Sequence, residues 1–211
     1  MFTKSLNNFI LLLILAFLTL LLSEVATFFL DLNRLLYKNL SEQLTLKQIE
    51  AYFATQSRWQ WLQYVLLPVV LYLKSTVLAW ILAIGGFFYG LELSHKNYWK
   101  IVLQAEFIFL VSVLVKILWF VIIQPEFSLE EVQQFVPFSL QSILDTTTIP
   151  SWALYPLQLL NVFEGLYWVL LAVLLNQASG SKKGALIVVS SYGPALFIWI
   201  IFIMFLTLNL S

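Results

Sequence analysis

The chain of 211 residues contains no cysteine and a single histidine, His95. Disulfide bonds, thiol catalysis and iron–sulfur clusters are therefore excluded, and a zinc site has very little support. Charged residues are also scarce, at 10% of the chain against about 25% in a typical soluble domain. Eleven basic and eleven acidic residues give a net charge of zero. Nucleic acid is therefore not an expected partner, because phosphate binding needs a clustered basic surface.

Apolar residues dominate the rest of the chain, making up 61% of it and giving a mean hydropathy of +0.91. Such a chain has too few polar residues to form a surface in water, so we predict an integral membrane protein embedded in the lipid bilayer. A transmembrane helix needs roughly 20 apolar residues. Stretches of this length predict an all-α, single membrane domain over residues 1–211, with five transmembrane helices at about 8–30, 65–91, 101–124, 154–176 and 185–208.

The longer connections contain two predicted amphipathic helical segments, at about 45–56 and 128–136. Each begins with a capping box, in which Thr45 precedes Gln48 and Ser128 precedes Glu131. The order span, amphipathic helix, span therefore occurs twice, which is the pattern of the parallel repeats found in some transporters. The alternative is that capping and amphipathicity alone make two interfacial helices resemble each other.

Orientation is predicted from the distribution of lysine and arginine among the connections. The short turns at 94–100 and 179–184 each carry two lysines, whereas the loop at 125–153 has no lysine or arginine. This places the turns and the N-terminus in the cytoplasm and the C-terminus, the long loop and both amphipathic segments outside. The first connection disagrees with this orientation, because it would lie outside with Arg34, Lys38, Lys47 and Arg58.

Four of the five predicted spans carry a charged residue within the apolar stretch: Glu24, Lys74, Lys116 and Glu164. A charge in hydrocarbon costs several kcal/mol, so it is retained where it is paired, can reach the interface or has a function. A helix rise of about 1.5 Å per residue places all four in one layer of the outer half of the bilayer. Two acids and two bases at one level can neutralise one another if their helices are neighbours.

This layer has a functional and a structural interpretation. In the first, it lines a polar cavity, open to the outer side, that binds a small polar or zwitterionic ligand or relays protons; Gln158 and Asn161 extend the polar strip of Glu164. In the second, the charges form an ion-paired network that holds the helices in register. Lys116 and Glu164 are predicted to act as a coupled pair within this layer.

Two other ionisable residues are expected to have smaller roles. Glu106 is predicted about 8 Å above the cytoplasmic boundary of the third span, where Lys96, Lys100 or water would satisfy it. His95 is expected to be solvated in a polar turn.

Small residues and prolines predict local features of the bundle. Close helix approach is expected at Gly85-Gly86, Gly90 and Gly165. Pro68 is expected to kink the second span, and a bend is expected at Gly193-Pro194 in the fifth.

Enzymatic activity is not expected from this sequence. No serine or threonine has a histidine base in reach, no carboxylate pair shares a helical face, and no glycine-rich phosphate loop is present. A metal site would bring Glu24 and Glu164 together, which the neighbouring lysines oppose. No cofactor is therefore predicted.

The part of the chain from about 75 to 200 resembles the Yip family of five-span membrane proteins. A glycine-bearing second span at 85–90 (GGFFYG) leads through a short basic turn to a third span that begins at 99–102 (WKIV). Later, 160–168 (LNVFEGLYW) leads through 178–185 (ASGSKKGA) into the last span. This order of features is similar to that of the bacterial Yip-like domain.

The resemblance implies five helices with a cytoplasmic N-terminus. Eukaryotic members of the family are Golgi and endoplasmic-reticulum proteins that associate with Rab GTPases in vesicle traffic. The long cytosolic N-terminal region that they use has no counterpart here, since only residues 1–7 precede the first predicted span, so Rab binding is not expected. The bacterial members imply no defined activity.

We therefore expect a non-enzymatic, Yip-like scaffold or adaptor in a bacterial inner membrane, whose partners are other membrane proteins or a second copy of itself. The alternative is a small-solute or ion transporter with Lys116 and Glu164 in its binding layer, and a small-molecule ligand would then be its substrate.

Overall fold

A computed structural model describes residues 7–144 and 149–210, where the regular structure is helical apart from one isolated β-bridge. Residues 145–148 of the predicted acidic loop lie outside the described part. The α-helices are α1 Asn8–Phe29, α2 Leu32–Ser41, α3 Leu46–Trp59, α4 Trp61–Phe88, α5 His95–Leu118, α6 Leu129–Gln134, α7 Ser151–Leu159, α8 Val162–Ser179, α9 Gly184–Ile187 and α10 Gly193–Leu210. Two π-helical segments, Trp119–Ile123 and Val188–Tyr192, extend α5 and join α9 to α10, and Gln141–Ile143 form a 3₁₀ turn.

Five helical segments in the described residues are long and apolar enough to cross a membrane, which confirms the predicted fold class. They are Asn8–Phe29, Trp61–Phe88, His95–Ile123, Val162–Ser179 and Gly184–Asn209. The protein is therefore an all-α integral membrane protein.

The two predicted amphipathic segments are also helical, as α3 and as the shorter α6. The backbone N–H of Thr45 donates to Gln48 Oε1 at 2.9 Å. Ser128 and Glu131 cap each other, at 2.7 and 3.1 Å. Both predicted capping boxes are present.

The two ends of the bundle differ in their connections. Asn8 Nδ2 donates to the carbonyl of Lys96 at 2.7 Å, and Lys183 Nζ donates to the carbonyl of Tyr89 at 3.1 Å. These bonds bring the start of α1 and the two short turns together at one end, which we call the turn side. The connections that contain α2, α3, α6 and α7 lie at the opposite end, the loop side.

α5 lies at the centre of the bundle and packs against α1, α4 and α8. Its buried residues Tyr98, Val102 and Ala105 belong to the main apolar core, to which α4 contributes Leu82 and α8 contributes Leu171. Such burial from several helices fixes the rotation of α5 and so the direction in which its polar residues point.

Close packing on glycine is found at some of the predicted positions and not at others. A Cβ atom on Gly85 would lie 2.6 Å from Ser191 Cβ, and one on Gly86 would overlap the hydroxyl of Tyr98. The prediction was wrong for Gly90 and Gly165, where a Cβ would meet nothing within 4 Å. Gly90 instead ends the second span in the left-handed conformation, with φ of +73°.

The helices differ in structure at the two positions where a proline was expected to kink or bend them. α4 continues through Pro68 as one helix from Trp61 to Phe88. In the fifth span, the irregularity precedes the predicted bend and takes the form of the π-helical turn Val188–Tyr192. Pro194 has no N–H to donate to the carbonyl of Ser190, which favours a change of hydrogen-bond pattern at this point.

The fourth span was predicted as one helix and is broken between α7 and α8. At the break, the backbone N–H of Leu140 donates to the carbonyl of Leu160 at 2.9 Å, and Val162 N–H donates to the carbonyl of Phe138 at 3.2 Å. These bonds with the preceding loop replace the intrahelical bonds lost at the break. The side-chain oxygen of Asn161 then caps α8, accepting from Glu164 N–H at 2.9 Å.

Candidate functional site

A group of polar side chains lies between α4, α5, α8 and the π-helical turn. Its members, which we call the polar cluster, are Lys74, Glu106, Glu164, Tyr167, Trp168 and Tyr192. Glu106 is 4% exposed and Glu164 is 9% exposed. Two buried carboxylates within one apolar bundle require donors or counter-charges.

Glu106 is paired with Lys74. The lysine Nζ lies 2.8 Å from Glu106 Oε2 and 5.0 Å from the centre of the Phe109 ring, a cation–π distance. The prediction that Lys96, Lys100 or water satisfies Glu106 was wrong. The reason is that the third span begins at His95 rather than near residue 101, so Glu106 lies about 16 Å along the helix, close to the middle of the membrane.

Two tyrosines extend the cluster from Glu106 towards Glu164. The hydroxyl of Tyr167 donates to Glu106 Oε1 at 3.3 Å. The rings of Tyr167 and Tyr192 are in edge-to-face contact, with centroids 5.6 Å apart. Tyr167 and Tyr192 therefore link the carboxylates of Glu106 and Glu164 through the contact between their rings.

Glu164 receives two hydrogen bonds at the same oxygen. Tyr192 Oη and Trp168 Nε1 each donate to Glu164 Oε1 at 2.8 Å.

The predicted coupling of Glu164 with Lys116 is not found: in the described part of the chain, Lys116 has neither an ion pair nor a hydrogen bond. Lys116 lies on α5 about 15 Å along the helix from Glu106, where it is half-buried.

The other predicted site residues lie elsewhere. The carboxylate of Glu24 is exposed and accepts from Tyr64 Oη at 2.7 Å and Gln63 Nε2 at 3.4 Å. Gln158 donates to the carbonyl of Gln134 at 3.1 Å. These contacts join α1 to α4 and α7 to α6.

Asn161 belongs to the break in the fourth span. Its Nδ2 donates to the carbonyl of Gln158 at 2.8 Å while its oxygen caps α8. The polar strip formed by Gln158, Asn161 and Glu164 therefore faces protein groups. It satisfies the backbone at the break, and only Glu164 reaches the polar cluster.

Sequence reasoning missed the donors of the cluster. Tyr167 and Trp168 lie three and four residues after Glu164, so a helical wheel would have placed them on the same face. Nothing in the sequence marks Tyr192, since its approach to Glu164 depends on how the fifth span packs.

His95 is also not simply solvated, as was predicted. The centroid of its ring lies 4.3 Å from that of Trp80.

The cluster is arranged to satisfy charges. Its buried carboxylates accept hydrogen bonds from donors on neighbouring helical segments and, at Glu164, also from Trp168 on the same helix. Among residues 7–144 and 149–210, no three His, Asp or Glu side chains come together as metal ligands. Comparison with protein-family models, curated proteins and solved structures finds no match for this chain.

Proposed function

We propose that the protein is a non-enzymatic, Yip-like scaffold or adaptor of a bacterial inner membrane, which associates with other membrane proteins or with a second copy of itself. The start of α1 and both lysine-bearing turns lie at the same end of the bundle, so the positive-inside rule supports a cytoplasmic N-terminus and an outer C-terminus. The Yip-like order of features in the sequence, in which a glycine-bearing second span leads through a short basic turn to a third span that begins at 99–102, supports the proposed family.

One observation carries the proposal: within the Lys74–Glu106 ion pair, the glutamate is buried and the lysine is half-exposed. The side chain of Glu106 is 5% exposed and that of Lys74 is 48% exposed. Lys74 lies about 20 Å from either end of α4, too far for its Nζ to reach an interface. A half-exposed ammonium at this depth is unfavourable against lipid.

A neighbouring membrane helix would remove this cost. The side chains beside Lys74 on α4 include Val70 and Val77, which are 58% and 57% exposed. They offer apolar packing on both sides of a partly exposed donor. Interhelical hydrogen bonds and van der Waals contacts are the forces that associate helices within a membrane. The α4 surface around Lys74 is therefore the proposed contact with the partner.

The absence of cysteine makes this contact testable by single-cysteine crosslinking. A benzophenone label is attached to a Val77→Cys variant in native membranes and irradiated. Val173→Cys is the matched control, because Val173 is also an exposed valine, at 43%, but lies on α8. We expect a discrete protein adduct from the α4 position and lipid adducts from the α8 position.

A second variant connects the adduct to the ion pair. Lys74→Met combined with Glu106→Gln leaves no charge unpaired, so the helix should fold while the exposed donor is lost. We expect the adduct of the Val77→Cys variant to fall several-fold in this background. Equal adducts from the α4 and α8 positions, or an adduct unchanged by the double substitution, would contradict the scaffold proposal.

A transporter is the second candidate, favoured by the broken fourth span. Helices interrupted within the membrane commonly form substrate sites. The break before α8 lies next to Glu164, about two-thirds of the way from the turn side to the loop side. Lys116, which has no ion-pair partner among the described residues, would bind the substrate. Purified protein in liposomes should then move a solute or protons, and Lys116→Met should abolish that flux while the protein remains folded.

A further inference from the structure

The polar cluster contains more acidic than basic groups. If Glu106 and Glu164 are both ionised, the cluster holds two negative charges, and Lys74 supplies its one positive charge. The hydroxyl groups of Tyr167 and Tyr192 are neutral donors. A buried carboxylate without a counter-charge is so unfavourable that it takes up a proton instead. One bound proton would therefore bring the cluster to neutrality.

The contacts of the two glutamates indicate which of them would carry this proton. Lys74 Nζ lies 2.8 Å from Glu106 Oε2, so Glu106 has a full counter-charge and remains ionised. Glu164 has no ion-pair partner in the described part of the chain. Its donors are the hydroxyl of Tyr192 and the indole N–H of Trp168, both of them neutral. Glu164 is therefore the group that needs the proton.

The hydrogen bonds of Glu164 also fit a neutral carboxyl group. Both donors meet the same oxygen, Oε1, at 2.8 Å, and Oε2 accepts no hydrogen bond from the described residues. A carbonyl oxygen has two lone pairs and can accept both bonds, while the other oxygen bears the proton. An ionised carboxylate accepts at both oxygens, so this arrangement would leave half of its charge without a donor.

The start of α8 offers Glu164 only a partial positive charge. Glu164 lies in the first turn of this helix, whose N-terminal end is equivalent to about half an elementary charge. The N–H of Glu164 itself already donates to Asn161 Oδ1 at 2.9 Å. A partial charge does not balance a full negative charge, so the helix start does not replace the missing cation.

None of the other cations on segments packed against α8 is ion-paired with Glu164 in the described part of the chain. Those at the turn-side end of α5 are His95, Lys96 and Lys100. Lys100 lies about 9 Å along the helix from Glu106, and Lys116 lies about 15 Å from it in the other direction. α9 and α10 carry no ionisable side chain. Tyr155 of α7 is neutral and accepts from Trp199 Nε1 at 2.8 Å.

We propose that the polar cluster is a proton-binding site, in which Glu164 holds one exchangeable proton at neutral pH. A proton from water adds to Oε2 of the carboxylate, and Oε1 keeps its bonds from Tyr192 and Trp168. The cluster is then neutral, and it responds to pH because release of the proton leaves one negative charge uncompensated. The site needs no partner protein, so it does not depend on the proposed contact at α4.

Infrared spectroscopy on the full chain in maltoside detergent tests the site directly. A protonated carboxyl group has a C=O stretching band that an ionised carboxylate lacks, and this detergent contains no carbonyl group. We expect the band at neutral pH in the native chain and its loss in Glu164→Gln, which copies the neutral form and should fold. Glu24→Gln is the matched control, because the exposed Glu24 lies outside the cluster, and it should keep the band.

The bonds to Oε1 give a second signature that does not require a change at Glu164. Tyr192→Phe removes one donor from the carbonyl oxygen, so the band should move to a higher wavenumber. Tyr98→Phe is the control, because the hydroxyl of Tyr98 has no partner among the described residues. It should leave the band in place. Both variants keep every charge of the cluster.

The pH dependence of unfolding measures the same proton. The unfolded chain releases it near pH 4, so between about pH 5 and about pH 6 the folded chain holds one proton more and loses stability as the pH rises. The unfolding equilibrium constant of the native chain, divided by that of Glu164→Gln, should rise about tenfold over this unit. Glu24→Gln should show the same rise as the native chain.

Three results would each overturn the proton site. The first is a carboxyl band that is absent at neutral pH or survives in Glu164→Gln. The second is a band that Tyr192→Phe leaves at the same wavenumber as Tyr98→Phe does. The third is a ratio of unfolding constants that does not change with pH.

Discussion

Lys74 on α4 and Glu106 on α5 form an ion pair of 2.8 Å near the middle of the membrane, with the carboxylate buried and the lysine half-exposed. The pair connects the second and third spans at a fixed height. A substitution at this pair can therefore act in two ways. It can change the stability of the bundle, and it can change the surface that a partner would contact.

The first prediction concerns the energy of this pair. Lys74→Met should lower the free energy of unfolding by about 3 kcal/mol, because Glu106 would remain as a buried charge without its cation. Lys74→Met/Glu106→Gln should recover to within about 1 kcal/mol of the native chain, since neither partner is then charged. Unfolding in detergent titrations measures both. Equal stability of the single and double variants would show that the ion pair carries no coupling.

The second prediction compares two buried tyrosines. Tyr192→Phe removes a hydrogen bond to Glu164 and should cost about 1 kcal/mol. Tyr98→Phe is the matched control, because the buried hydroxyl of Tyr98 has no partner among the described residues. Its removal should be neutral or stabilising. Thermal unfolding in nanodiscs distinguishes them, and an equal loss in both variants would contradict the assigned bond.

The third prediction tests helix contact at glycine. Gly86→Ala should cost about 1–3 kcal/mol, because the added methyl group would overlap the Tyr98 ring. Gly165→Ala, where nothing lies within 4 Å, should be neutral or stabilise α8 by up to about 1 kcal/mol. Both are read from thermal unfolding. The packing described here would be wrong if the order of the two effects were reversed.

The fourth prediction concerns the break in the fourth span. Asn161→Ala should cost about 1 kcal/mol by removing the cap of α8. Asn161→Ser keeps an oxygen that can accept from the N–H of Glu164 and should retain most of that stability. Hydrogen exchange of the first amides of α8 reports the cap directly. Unchanged exchange in the alanine variant would mean that the backbone bonds with the loop hold the break without it.

Much of the architecture could be predicted because its causes are local. An apolar stretch of membrane length forms a helix wherever it packs, and the pairs Thr45–Gln48 and Ser128–Glu131 satisfy each other within one turn. The start of the third span was missed because His95 and Lys100 are polar yet helical. That error displaced Glu106 by about two turns and hid its pairing.

The composition of the polar cluster could be predicted only in part. Lys74 and Glu164 stood out as charges in apolar stretches, but their partners depend on the relative height and rotation of helices far apart in the chain. Tyr192 reaches Glu164 across 28 residues, from a π-helical turn that the sequence did not predict.

By itself, the sequence determined the membrane class, the five apolar segments and the capped amphipathic helices, since hydropathy and capping act within one segment. Only the tertiary structure decided that Lys74 pairs with Glu106, that tyrosine and tryptophan donors satisfy Glu164, and that the fourth span breaks at Asn161. The physical reason is that a charge inside the membrane must find its donor or counter-charge wherever packing brings one, and packing is set by contacts between segments.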